Sequence, residues 1–528
     1  MNLGLSRAPR APRGGWVDPD PRPVGLWGRW ARRWCAALPL LLCALSSACG
    51  NAPAADPTTL TVAVATSPTT LDPRLASDTL STRLIQLTHR GLVRLDDRLL
   101  ATPDLATWEF LSPLHLRFHL TPGVTFHDGQ RLTAADVVAT YQSLLDPALA
   151  SPHRGVMEAV ARVEAVDAHT VDFHLHHPFA PLLASLTLGI VPAGYQGEPP
   201  PPGSGPFRLR RWQRDQQLDY ARFEGFSGAE VTLPRLTVRI LPDATVRALE
   251  LERGTVDLVL NDLPTELLPR LASRPHLHLL SSPSTNQFYL GLNLHDPLLA
   301  DVRVRQAIAC AIDRTPIIDH LLGGQATPAT GLLPADHWAY RRPRDLPAYD
   351  PDRARRLLAQ ARGEGAPPLA IEYKSSTDET ARLIAQVIAE QLRQVGIELT
   401  LRAFEWGTFY GDIRAGRFQL YCLTWTGVVE PDLYYTILHS HAVGDAGANR
   451  NRYTNPVVDG LLEEARTTLD EARRRALYGA VQEIAARDLP AIPLWHPRHF
   501  AVVNRRVVGY VLTPNIDLAQ LATVRLAP

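Results

Sequence analysis

Cysteine is scarce in this chain: five among 528 residues, at positions 35, 43, 49, 310 and 422. Only Cys310 and Cys422 follow the N-terminal segment, so no disulfide framework can carry the fold. Both sit in apolar runs, where buried free thiols are expected. A single bridge between them stays open, since sequence gives no distance. Net charge is absent too, with Lys+Arg and Asp+Glu at 54 each. No global field therefore recruits nucleic acid or an anionic membrane surface, and no nucleic-acid partner is expected. Beyond the N-terminal segment no apolar run is long enough to span a bilayer. The chain also lacks G-x-S-x-G, H-E-x-x-H, C-x-x-C and a dinucleotide-binding glycine fingerprint. It thus offers no assembled nucleophile, metal-hydrolase helix or nucleotide site, and neither enzymatic activity nor a cofactor is expected. Internal repeats and low-complexity stretches are absent from the region after residue 59.

What is present describes a globular protein with a sizeable core: 45% hydrophobic and 20% charged residues. The length calls for two or three lobes. At the N-terminus Arg29, Arg32 and Arg33 precede an apolar run, Cys35 to Leu45, which suits a signal h-region. The stretch before Arg29 is long for an n-region and leaves the true start open. The run ends in Leu45-Ser46-Ser47-Ala48-Cys49-Gly50. Small residues before a cysteine resemble a lipobox, which would make Cys49 a lipidated mature N-terminus. Ordinary secretory cleavage nearby is the alternative, because Ser46 stands where a lipobox usually has Leu. Residues 1–49 are thus read as a signal peptide and 50–59, rich in Ala and Pro, as a tether.

Downstream the grammar alternates strand and helix. Leu60 to Ala65 is a strand, and a helix follows from about Leu80 to Thr88. The most specific stretch is Leu116 to Tyr141, LRFHLTPGVTFHDGQRLTAADVVATY. Leu116, Phe118 and Leu120 alternate with Arg117 and His119 as a strand. Pro122-Gly123 makes a turn, Val124 to His127 a second strand fragment, and Asp128-Gly129 a tight reversal. Thr133 caps a helix opening with Ala134-Ala135-Asp136. Gly203-Ser204-Gly205-Pro206-Phe207 follows a proline-rich linker, and its two glycines permit a sharp backbone path. No Walker lysine follows it, which argues against a phosphate loop. Further on come the strand Phe288 to Asn293, a helix opening at Val302-Arg303-Val304-Arg305-Gln306-Ala307-Ile308, a long amphipathic helix from Ala381 to Val395, and the strand Gln419 to Thr424. Leu461 to Arg487 reads as helical, and Pro493 to His496 and Phe500 to Val503 as strands.

These segments, in this order, resemble the family 5 extracellular solute-binding proteins, the large peptide and nickel receptors of bacterial ABC importers. The F-x-L-x-x-G-V-x-F-H-D-G-x-x-L-T-A-x-D-V-V-x-T-Y stretch and the V-R-V-R-Q-A-I helix carry the resemblance. The resemblance implies an α/β fold of the large periplasmic-binding-protein type (type II, cluster C). It has two main lobes joined by a hinge, plus an extra small lobe. Residues 60–90, 205–290 and 499–528 would form lobe I, 91–204 the small lobe and 291–498 lobe III. The hinge would lie near Leu290 and Phe500. A monomer is expected, with an ABC permease and its ATPase as membrane partners.

In the family, a strand ending in W-x-[GA]-D-x-x-[DE]-P holds the ligand, and its Asp binds a peptide α-ammonium. Here the pattern reads Trp425-Thr426-Gly427-Val428-Val429-Glu430-Pro431. Val428 stands where the Asp is expected, so Glu430 or Asp432 takes over, or the ligand has no free amine. By the same resemblance Trp425, Thr426, Gly427, Glu430, Asp432, Tyr434 and Arg452 are the candidate ligand contacts. Glu430 and Asp432 equally suit a turn acid and a helix N-cap. Capture of peptides or a peptide-like solute is the leading expectation. A nickel or metal-chelate receptor using His439 and His441 is the alternative, and a secreted enzyme a remote one. His174, His176 and His177 read as a solvated strand edge.

Overall fold

The computed structural model describes residues 56–198, 200–444 and 447–527. The first strand, β1 (Thr59–Val64), packs side chains into cores on both faces, as a strand inside a parallel sheet must. Asp78 then accepts from the Ser81 N–H and starts helix α1 (Thr79–Thr88). A short hairpin, β2 (Val93–Leu95) and β3 (Ala101–Pro103), leads to β4 (Ala106–Ser112) and β5 (His115–Leu120). Helix α2 (Ala134–Ser143) is fixed at its start by Asp136, whose carboxylate accepts from Thr133 N at 2.7 Å and Oγ1 at 2.9 Å. With β6 (Val160–Ala165) and β7 (Thr170–Leu175) the segment closes an antiparallel sheet of order β4-β5-β7-β6. Its core is drawn entirely from residues 92 to 190.

The expected strand fragment at Val124 to His127 is not a strand. Phe126 and Gly129 spend their backbone bonds on a local reversal, with only an isolated bridge from Thr125 to Arg131. Gly129, at φ +93°, makes that reversal possible. His127 instead ties the loop to the glycine motif: its N–H donates to Gly203 O at 2.8 Å and its Nε2 to Gly205 O at 3.0 Å. A Cβ on Gly203 would sit 1.8 Å from Thr88 O, so this close approach to the end of α1 requires glycine.

Apart from a short antiparallel pair, Val507–Val508 with Arg525–Leu526, the remaining strands belong to one large sheet. In chain order they are β8 (Phe207–Gln213), β9 (Gln217–Arg222) and β10 (Arg235–Ile240). After helix α3 (Ala244–Arg253) come β11 (Leu258–Leu260), β12 (Leu277–Pro283) and β13 (Gln287–Leu292). Helix α4 (Val302–Ala311), β14 (Ala326–Pro328), α5 (Pro351–Arg362), β15 (Leu369–Ser376), α6 (Glu379–Arg393), β16 (Ile397–Phe404) and α7 (Trp406–Ala415) follow. They lead to β17 (Leu420–Trp425), then α8 (Leu433–Leu438), α9 (Pro456–Thr467), α10 (Glu471–Asp488) and β18 (Ala491–Asn504). The order is β16-β15-β17-β13-β18-β11-β1-β10-β9-β8, with β12 and β14 also on β18.

β18 joins what would otherwise be two sheets. Its first half pairs with β13 and β14, its second with β11 and β12. The sequence suggested two strands here, Pro493 to His496 and Phe500 to Val503; the structure has a single 14-residue strand. Pro493 and Pro497 are accommodated opposite Tyr289 and Ala326, beside the shift in register against β13. A second difference lies upstream: the helix expected over 461–487 is two helices. Asp470 accepts from Arg473 N at 2.7 Å, and this cap restarts the chain after α9 ends. Cys310 and Cys422 are both free thiols, so the bridge left open above is not formed. Among the described residues no helix is long and apolar enough to cross a membrane. Cys49 and the signal segment lie outside the described residues.

Candidate functional site

β17 pairs with β13 along its whole length, from Leu420↔Leu292 to Trp425↔Gln287. On its other side the ladder to β15 stops after two pairs, Tyr373↔Leu420 and Lys374↔Tyr421. From Cys422 to Trp425, therefore, one backbone edge has no neighbouring strand among the described residues. Such an edge presents alternating N–H and C=O groups to any extended chain that approaches it.

Trp425, at the end of this edge, stacks on Tyr289 with ring centroids 5.6 Å apart and planes within 4°. The Arg450 guanidinium lies 4.4 Å over the Trp425 ring. It is held there by donating to the hydroxyls of Tyr289 at 3.2 Å and Tyr410 at 3.0 Å. Thr426 and Gly427 are exposed just beyond; Gly427 adopts φ +63° and donates its N–H to Asn286 Oδ1 at 2.9 Å. This left-handed residue turns the chain so that Val428 points inward. Val428 is 1% exposed, packed in a cluster with Leu332, Trp338, Tyr434 and Tyr478. The position where the family pattern carries an ammonium-binding Asp is here a core position.

Both nearby acids are matched by arginines. Glu430 Oε1 accepts from Arg474 Nη2 at 2.5 Å, and burial pushes its carboxyl up against the pull of that arginine. Asp432 lies 3.1 Å from Arg466 Nε, without the alignment of a hydrogen bond, and burial pushes its carboxyl up to about 7. Asp432 opens α8 but makes no side-chain cap. Arg466 also sits 3.8 Å over the Tyr435 ring and 5.1 Å from that of Phe179. Tyr434 is buried and, with Trp425, Tyr289, Gln287 and Leu332, lines a small apolar cavity of about 70 Å³. Arg452, at φ +60°, donates to Ala415 O at 3.0 Å and so anchors the end of α7, two residues away from the arginine that reaches Trp425.

His439 and His441 do not form a ligand set. His439 is buried; its Nδ1 accepts from the His441 N–H at 3.1 Å and its Nε2 faces Glu463 at 3.2 Å. Both ring nitrogens are thereby used, while the His441 ring is exposed 5.0 Å away.

A larger cavity, about 690 Å³, opens beside Val429. Its wall includes Arg90, Arg94, Asp104, Asn515 and Asp517, far apart in sequence. Arg90 Nε holds Asp104 at 2.8 Å. Asp517 has no ion pair among the described residues; it accepts from Ala519 N at 2.8 Å, and burial pushes its carboxyl up. Sequence reading missed Tyr289, Arg450 and Asp517. Asp517 looks in sequence like any acid before a helical turn, and Arg450 like a neighbour of Arg452 in a loop.

Comparison with known proteins gives a consistent picture. Residues 101–447 match the family described as bacterial extracellular solute-binding proteins, family 5 Middle. The probable di/tripeptide-binding protein 5 of Pseudomonas aeruginosa (strain UCBPP-PA14) is 32% identical over 78% of this chain and 85% of its own length. The heme-binding protein A of Haemophilus influenzae is 31% identical over 78% and 82%. Among solved structures, HbpA2 from Haemophilus parasuis superposes with a TM-score of 0.79 at 26% identity, over 89% of this chain and all of that one (100%).

Proposed function

The chain belongs to the bacterial extracellular solute-binding proteins, family 5, and from that membership we infer that it is the substrate-binding receptor of an ABC importer, capturing a peptide or peptide-like solute. The open edge of β17 at Cys422 to Trp425 carries this reading. An extended ligand adds there as a strand, and main-chain bonds give affinity without regard to side chains. Trp425 and the exposed Thr426-Gly427 turn flank its path.

With Val428 in the core and Glu430 and Asp432 matched by arginines, the ligand's ammonium needs another carboxylate. Asp517, which lines the same cavity as Val429 and makes no ion pair among the described residues, is the candidate. Lobe I is read as 60–90, 205–290 and 499–528, the small lobe as 91–204 and lobe III as 291–498, with β13 and β18 as the hinge. Closure over the ligand would present the docked state to a permease. Cys49 is the proposed lipid anchor, and the working form a monomer.

The test is calorimetric titration of the chain from residue 50 onward with tri-alanine, N-acetyl-tri-alanine and hemin. Tri-alanine is expected to bind, and acetylation and Asp517→Asn each to weaken it by at least ~10-fold, about 1.4 kcal/mol. Hemin binding with no peptide binding would overturn the peptide reading. Peptide binding that ignores both acetylation and Asp517→Asn would leave the β17 edge in place and remove Asp517 from it.

A further inference from the structure

The outer face of the four-stranded sheet carries side chains that solute capture does not use. Period two puts His115 and Arg117 of β5, Asp172 and His174 of β7, and Arg162 and Glu164 of β6 on one face. His115 and His174 are direct cross-strand partners, with ring centroids 4.3 Å apart and planes tilted by 32°. Arg117 forks onto Asp172, Nε to Oδ1 and Nη2 to Oδ2, both at 2.8 Å. That fork fixes the orientation of the Asp172 carboxyl on the sheet face. Glu164 Oε1 lies 2.9 Å from His174 Nε2, and Arg162 Nη2 approaches the same nitrogen at 3.3 Å.

A solvated charge lattice accounts for most of this, but not for His115. Its Nε2 is buried 2.8 Å from Asp172 Oδ2 and yet lacks the alignment of a hydrogen bond. Nitrogen and oxygen so placed share a proton when no ion is bound, and a metal ion can take the proton's place once the two groups part slightly. One ligand atom each from His115, Asp172 and His174 lie within 4.8 Å of one another, needing only a modest closing for a tetrahedral ion.

We propose that His115, Asp172 and His174 form a binding site for a divalent transition metal of the Zn(II), Ni(II) and Cu(II) class, with Glu164 as the fourth ligand. Two imidazoles and carboxylate oxygens suit these borderline ions and not Mg(II) or Ca(II). Arg162, largely exposed, swings away, while Arg117 stays behind Asp172 and orients it. The two arginines offset the two carboxylates, so affinity rests on the imidazoles and falls in the micromolar range. The ion would tie β5, β6 and β7 together on the face opposite the core of residues 92–190. Neither the peptide edge nor His439 and His441 takes part.

The experiment titrates the chelator-treated chain from residue 50 onward with Zn(II) and Ni(II) by calorimetry, and with Co(II) by visible absorption. One saturable ion per chain is expected, with Co(II) bands of a four-coordinate N/O site. His174→Gln should weaken binding at least ~10-fold, and the His115→Gln/His174→Gln pair should abolish it. His176→Gln and His441→Gln should leave it unchanged. Circular dichroism and the thermal midpoint check that the glutamine variants fold. Absence of saturable binding by the folded wild type overturns the proposal, as does stoichiometric binding that survives the double variant. Loss on His441→Gln alone would move the metal to that region and equally overturn it.

Discussion

Two buried acid–arginine contacts beside the open strand differ in kind. Glu430 and Arg474 are both shielded, with side chains 20% and 9% exposed, and Arg474 also donates to Ala465 O and lies 5.1 Å from the Trp338 ring. Glu430→Gln would leave that guanidinium without a countercharge, at a cost of about 3–5 kcal/mol. Glu430→Leu/Arg474→Met should recover most of the loss, which paired urea titrations would read. Asp432 should instead make stability depend on pH. Its folded value of about 7 stands above the ordinary 3.8. Between those values the folded chain keeps a proton that the unfolded chain has released. The contribution is therefore full below pH 4 and disappears as pH rises through 7. It amounts to roughly 4 kcal/mol at most. Asp432→Asn should flatten the slope, seen as a difference between variant and wild type that changes from pH 4 to pH 8.

At the level of elements, the strand pair β13–β17 is the most tightly constrained part of the candidate site. Gly291 faces Tyr421 across the ladder, and a Cβ there would meet the Tyr421 ring at 2.2 Å. Gly291→Ala is thus expected to cost about 1–3 kcal/mol through displacement of that ring. Tyr421 would carry the disturbance to Tyr289, 5.8 Å away, and on to Trp425. A blue or red shift in tryptophan emission together with a lower urea midpoint would check it. The strands and caps that bear the site were legible in sequence because their signals are local: alternation over Gln419 to Thr424, or Asp and Gly at helix ends. The unity of β18 was not legible. Its prolines argue locally for a break, and only the partners on either side, β13 and β14 before, β11 and β12 after, make them tolerable.

At the scale of the whole molecule, buried histidines among the described residues set the acid limit. Burial holds His89 down to about 3 and His127, His337 and His499 down to about 4, against an ordinary 6.5. The unfolded chain takes up protons first, so their stabilisation is complete above pH 6.5 and is lost as pH falls toward 4. Each contributes up to about 1.4 kcal/mol per pH unit in that window. Denaturant midpoints at pH 7.5, 5.5 and 4.5 should fall steadily. His337→Gln should reduce the slope, since the amide can still donate to Val429 O as His337 Nε2 does at 3.2 Å. A flat profile would mean that these rings reach solvent.

By itself the sequence determined the α/β grammar, the family and the strand that ends at Trp425. Each of these is written in residues adjacent along the chain, as alternation, caps and motif spacing. It also marked Val428 as a departure from the family pattern, but not where that side chain goes. Tertiary structure decided the rest, because those matters depend on distances between residues far apart in sequence. Burial turned Val428 into core, Arg474 and Arg466 took up Glu430 and Asp432, and Arg450 rather than Arg452 came to lie on Trp425. Pairing of β5 with β7 brought His115, 57 residues before Asp172 in the numbering, to a carboxylate that no reading of either strand alone connects to it.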